Sequence, residues 1–130
     1  MTTNNQSPLQ GTKLANFIPP GKPVTELDII DTVEGNGETV TGGATITAHY
    51  TGALVSDGTI FQSSHDFGDP ISFGLNQVID GWTKGVPGMR IGGIRRLIIP
   101  AAQAYGAHSP SPDIPANADL VFDIELTAIK

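Results

Sequence analysis

The chain has 130 residues, 38% of them hydrophobic, a formal net charge of −6 and no cysteine. That length suits one domain with one core. The acidic balance argues against a nucleic-acid binder, which needs a basic stripe, and the missing cysteine excludes disulfides, thiol catalysis and thiolate metal sites. No apolar run approaches the roughly 18 residues of a membrane span.

Residues 1–24 form a composition block of their own, rich in Thr, Asn, Gln, Gly and Pro. Pro19-Pro20-Gly21-Lys22-Pro23 reads as a stiff extended linker. The block is expected to be a flexible tail, with the folded domain over 25–130; docking of Phe17 and Ile18 on that domain is the alternative. Asn5-Gln6-Ser7 fits a glycosylation sequon, a match too short to carry weight alone. The start has neither the basic residues nor the apolar stretch of a signal peptide, so a cytoplasmic location is expected, although an exported form with its signal removed would read the same.

From Leu27 the pattern is mostly strands. Leu27 to Val33 is bounded by the turn signal Glu34-Gly35-Asn36-Gly37. Ala44, Ile46, Ala48 and Tyr50 alternate with polar residues, the period of a half-buried strand. Ser56-Asp57-Gly58 turns the chain into Thr59-Ile60-Phe61, and Ile71-Ser72-Phe73 is a further short strand. Val78, Ile79, Trp82 and Val86 share one face of a helix that Gly81 and Gly85 weaken and Pro87-Gly88 ends. Ile94 to Ile99 is a strand stopped by Pro100, with Arg95 and Arg96 expected to have one or both heads in solvent. Leu120, Phe122, Ile124, Leu126 and Ala128 alternate along the last strand, with the even-numbered face toward the core. The fold class is therefore α+β: a curled antiparallel sheet of five to six strands wrapped on one short helix.

The tools of hydrolytic, redox and transfer chemistry are missing. There is no GxxxxGK loop, no HExxH and no GxSxG elbow, and His49, His65 and His108 lack metal-ligand spacing, so no metal or cofactor is implied. Ser63-Ser64-His65 reads as a turn built on serines rather than a triad, because neighbours along a chain rarely share triad geometry. Asp66 and Asp69 are expected to be solvated in a Gly- and Pro-bearing loop. What remains is a binding module, or an enzyme that needs no ionisable catalyst.

His49-Tyr50-Thr51-Gly52, Asp57-Gly58, Phe61-Gln62-Ser63-Ser64, Val78-Ile79-Asp80-Gly81-Trp82, Gly88-Met89-Arg90-Ile91-Gly92-Gly93, Ile99-Pro100, Ala104-Tyr105-Gly106, Ile114-Pro115 and Leu120-Val121-Phe122 follow one another in this order. The series resembles the FKBP-type prolyl isomerases, a family that also binds macrolides such as rapamycin, and it covers Leu27 to Lys130. The resemblance implies a peptidyl-prolyl cis/trans isomerase that assists protein folding, with X-Pro polypeptides as partners, and a monomer. It places the catalytic pocket at Tyr50, Phe61, Trp82, Tyr105 and Phe122, with Gln62, Ile71, Val78, Ile79 and Ile114 binding substrate. It also makes Asp113 and Ile114 part of a proline-rich flap. By periodicity alone, the same residues are a core inventory: Tyr50 and Phe122 on alternating strands, Trp82 on a helix face, and Tyr105 and Ile114 as loop anchors.

The sequence also departs from the family. Gln62 stands where an aspartate is usual, and Phe67 where its arginine partner is usual, so both halves of an ion pair are replaced together. Weaker macrolide binding is the expected consequence. Ile71 stands in place of an aromatic and Asp113 in place of an apolar flap residue. A proline-segment binding module, or a holdase with little turnover, is the competing function.

Overall fold

The computed structural model describes residues 8–130; the Asn5-Gln6-Ser7 match lies outside them. Six strands form one antiparallel sheet: β1 (Asp28–Val33), β2 (Thr45–Leu54), β3 (Ile60–Ser63), β4 (Ile71–Gly74), β5 (Ile94–Ile99) and β6 (Leu120–Ile129). The order is β1-β5-β6-β2-β3, and β4 also pairs with β2. β3 takes the Thr51–Ala53 half of β2, while β4 takes the Thr45–Ala48 half. One short helix, α1 (Asp80–Gly85), lies on the sheet.

The alternation in β2 and β6 does what period two requires. Ile46, Ala48 and Tyr50 are buried on β2, and Leu120, Phe122, Ile124 and Leu126 on β6, all in one cluster with Trp82, Val86, Leu97 and Ile99. α1 starts two residues later than the apolar spacing predicts. Ile79 is extended (φ −61°, ψ 153°), and its carbonyl receives the first helical bonds, from the N–H groups of Trp82 and Thr83. Val78 and Ile79 therefore sit just ahead of the helix, where they face the sheet without being part of it.

The two glycines that weaken α1 explain how close it lies. A Cβ on Gly81 would stand 2.5 Å from Ile99 Cδ1, and one on Gly85 2.7 Å from Leu97 Cδ2. Small residues on this face let the helix settle onto β5. Its C-terminal carbonyls are met by Arg95, whose Nη1 donates to Gly85 O at 2.8 Å and Pro87 O at 3.1 Å, while Nε donates to Asp31 Oδ1 at 2.6 Å. A cation at this end complements the helix dipole. Arg95 is thus buried rather than solvated. Its neighbour Arg96 is half-buried, held by Asp123 and by the carbonyls of Ala15 and Asn16.

Residues 8–24, read from composition as tail, make specific contacts. Gly11 N–H donates to Ile60 O, Ile60 N–H to Thr12 O and Leu14 N–H to Gly58 O, each at 2.8 Å. This strap thereby lies along the outer edge of β3. Leu14 is buried with Ala53, Val55, Ile60 and Val121, and Phe17, Val24 and Ile98 pack against them. Val121 and Ile98 point away from the α1 side, so the strap builds a second, smaller core on the opposite sheet face. Phe17 lies under the Arg96 guanidinium at 5.7 Å, while Ile18 is 87% exposed. Of the pair considered for docking, only Phe17 packs.

Candidate active site

Between α1, the β2–β6 face and the loop after β5 lies a cleft of about 180 Å³. Its walls are Tyr50, Phe61, Gln62, Phe73, Val78, Ile79, Trp82, Tyr105, Ile114 and Phe122. Nine of the ten residues expected from sequence are here; Ile71 is not among the lining residues. It is half-buried against the main core, and Phe73, two residues along the same strand face, supplies the ring instead. The Ile71-Ser72-Phe73 alternation was the available signal, since both residues point the same way.

The rings are arranged around Trp82, which is 4% exposed. Phe73, Phe122 and Tyr50 meet the indole edge-to-face at 5.0, 5.4 and 5.8 Å between centroids. Phe61 stands edge-on to Phe122 at 5.7 Å. Such T-shaped contacts are the favoured geometry of aromatic quadrupoles, and each adds about 0.5–1.5 kcal/mol beyond area burial. Gly52 makes room for two of these rings. A Cβ there would lie 2.6 Å from Phe61 Cζ and 2.7 Å from Phe122 Cε1.

Polar groups are few. Burial first, and then the neighbouring Tyr105 phenol, raise the Tyr50 hydroxyl above its ordinary pKa, so it stays protonated through the neutral range. Tyr105 is 37% exposed at the mouth, and Gln62 is exposed beside it. Among the described residues the Ile79 N–H has no backbone acceptor, which leaves a donor at the helix entry. The Trp82 indole N–H is buried without a partner.

Side-chain bonds hold the surrounding loops. Ser64 Oγ accepts from Tyr50 N–H at 2.8 Å and lies 2.8 Å from His49 Nδ1, while His65 stacks on His49 at 4.1 Å. The Ser63-Ser64-His65 stretch is therefore the serine-built turn expected. Asp66 is engaged rather than free: its carboxylate accepts from the N–H groups of Leu9 and Gln10 at 2.7 and 3.1 Å. In the proline-rich flap, Ser109 Oγ lies 2.7 Å from Ile114 O, which keeps the Ile114 side chain buried over the cleft. Phe67, where the resemblance places an ion-pair partner, is 68% exposed and outside the cleft.

The cleft is apolar and ring-walled, and none of its lining residues carries an ionised group at neutral pH. The sequence pattern of the family "FKBP-type peptidyl-prolyl cis-trans isomerase" matches residues 36–127. The chain belongs to that family, and it is a peptidyl-prolyl cis/trans isomerase of the FKBP type. It is 48% identical over 90 residues to the peptidyl-prolyl cis-trans isomerase FPR2 of Saccharomyces cerevisiae, a match covering 68% of this chain and 67% of that one. It is 46% identical over 105 residues to an FK506-binding protein of Neisseria meningitidis serogroup B, covering 79% and 95%. Among solved structures, that of AtFKBP13 superposes with a TM-score of 0.70 at 37% identity, covering 80% of this chain and 93% of that one. FkpA from Escherichia coli superposes with a TM-score of 0.73 at 39% identity, covering 85% of this chain and 52% of that one. Among the described residues, no helix is long and apolar enough to cross a membrane.

Proposed function

We propose that the cleft around Trp82 is where this isomerase turns X-Pro bonds, and that it works by stabilising a twisted imide in a dry, apolar enclosure. Rotation about the bond meets a barrier of about 18–20 kcal/mol because twisting breaks amide resonance. The planar imide is strongly dipolar, through charge transfer from nitrogen to oxygen, whereas the twisted form has lost that transfer. A cleft that offers rings in place of water raises the planar form relative to the twisted one. That is preferential binding of the transition state, and each 1.36 kcal/mol so gained is tenfold in rate.

In this reading Trp82, Val78, Ile79 and Phe122 hold the proline ring. The Ile79 N–H and the Tyr105 hydroxyl anchor flanking peptide carbonyls while the bond turns. The edges of Tyr50, Phe61 and Phe122, positive at their hydrogens, receive the rotated carbonyl oxygen. Ile114 closes the cleft from the flap, and Gln62 borders its mouth. The isomerase domain is taken as 25–130, with the strap of 8–24 held against it. Uncatalysed X-Pro exchange takes tens to hundreds of seconds and can limit folding, so folding chains are the natural clients. Macrolides such as rapamycin enter the same cleft, bound less tightly because Gln62 and Phe67 supply no ion pair at its mouth.

The observation that carries this reading is the convergence of six rings on a cleft that contains no ionised group. Cis/trans exchange of an X-Pro peptide, followed by NMR with and without the protein, tests it. Phe61→Ala and Trp82→Ala, each checked for folding by circular dichroism, should lower kcat/KM at least tenfold. Full-speed exchange in both folded variants, or peptide binding without acceleration in the unaltered protein, would overturn it.

A further inference from the structure

A second depression, of about 370 Å³, adjoins the cleft across Phe61. It is lined by Pro8, Gln10, Gly11, Thr59, Ile60, Phe61 and Asp113. Its two walls come from distant parts of the chain, the strap on one side and the flap on the other. Gln10 Nε2 donates to Asp113 Oδ2 at 3.2 Å and so ties them together. The strap is itself fixed at this point, since Leu9 and Gln10 donate their N–H groups to Asp66. Phe61 is shared by both spaces, so a peptide seated in the cleft can continue into the depression.

The chemistry of the depression differs from that of the cleft. Asp113 is its one charged lining residue; one carboxylate oxygen is engaged by Gln10, and no cation lines the space. Lys13 donates to Oγ1 of the lining residue Thr59 at 2.9 Å and is paired with Asp57 at 3.8 Å. Pro8, Ile60 and the Phe61 ring line the same space as the Asp113 carboxylate. A space lined by apolar groups and a single carboxylate suits a long side chain with an aliphatic stem and a cationic head, and the net charge of −6 favours the approach of such segments.

We propose that this strap-and-flap depression is a subsite for residues flanking the X-Pro bond, and that Asp113, positioned by Gln10, selects a basic side chain there. The proposal rests on the isomerase reading of the neighbouring cleft. Its test is kcat/KM by NMR exchange for peptides bearing Arg, Ala or Glu at each of the two positions before and after the X-Pro pair. At low salt, one position should favour Arg over Glu by about three- to fivefold, as expected for a partly exposed charge pair, and the ratio should shrink in high salt. Asp113→Asn should bring the ratio close to one, and Gln10→Ala should reduce it. A ratio near one in the unaltered protein, or one that survives Asp113→Asn, would overturn the subsite, and a ratio untouched by Gln10→Ala would overturn the positioning role. The Ala peptide keeps the two readings apart. If it turns over normally while the series is flat, only the subsite fails; if it is not accelerated, the isomerase reading itself fails.

Discussion

At the scale of single residues, Tyr50 links the cleft to the stability of the fold. Burial and the nearby Tyr105 phenol raise its pKa above the ordinary 10.0. The folded protein then keeps this proton at a pH where the unfolded chain has released it. Between the ordinary and the raised value, the folded state binds more protons, so stability falls as pH rises. The contribution is fully present below pH 10.0 and is lost as pH climbs through the raised value. Urea midpoints measured from pH 9 to 11 should decline in the unaltered protein and decline less in Tyr50→Phe.

A second residue-scale prediction concerns Gln62 and Phe67. Gln62→Asp alone places a carboxylate at the cleft mouth without a partner, and Phe67→Arg alone places an unpaired cation on an exposed loop. Made together, they should strengthen rapamycin binding by more than the two separate changes add up to. Trp82 fluorescence titrations of all four proteins measure that excess directly, as a double-mutant cycle.

Among the elements, α1 is short and poor in helix formers, yet it sets the cleft floor. Replacing Gly81 by Ala would favour an isolated helix by about 1 kcal/mol. Here the added Cβ meets Ile99 Cδ1 at 2.5 Å, so overpacking should prevail and destabilise by about 1–3 kcal/mol. Lower urea midpoints for Gly81→Ala and Gly85→Ala would confirm that spacing against β5, not helix propensity, holds the element.

Elements with a strong period were legible in the sequence. The alternation of Leu120 to Ala128 gave β6 its buried face, and the apolar spacing around Trp82 located α1 to within two residues. The nine lining residues came with the family resemblance, since periodicity alone could not separate pocket from core: Trp82, Tyr50 and Phe122 serve both. The strap was not legible because it is held mainly by groups that pattern does not weigh. These are backbone pairs with β3, the Asp66 carboxylate and the Arg96 guanidinium. Phe73 was not legible as a wall because it shares a strand face with Ile71, and alternation alone does not say which of the two reaches the cleft. The burial of Arg95 went unread because its partners, Asp31 and the end of α1, are remote in sequence.

For the whole molecule, the sheet is covered on both faces, by α1 on one and by the strap on part of the other. Among residues 8–24, Leu14 is the one buried side chain in that second core. Leu14→Ala should cost about 2–3 kcal/mol, near the lower end for buried leucines because the site is close to solvent and can relax. A lower thermal midpoint would establish that residues ahead of the domain boundary contribute to its folding. If Leu14→Ala also weakens the Arg preference of the neighbouring depression, the strap serves stability and selection together.

The two margins of the sheet are finished differently. The strap occupies the outer side of β3, but β1 has β5 on one side and, among the described residues, no strand on the other. Ile29, Ile30 and Val33 are exposed along it, a combination that invites a second copy to add its own backbone. Two features work against that invitation. Asp28 and Asp31 place carboxylates on this short strand, and its register breaks between Asp31 and Val33, bending the line of free N–H and C=O groups. Asp31 therefore ties this border to the interior: through Arg95 it joins the edge strand to the end of α1 while setting a carboxylate among the exposed side chains.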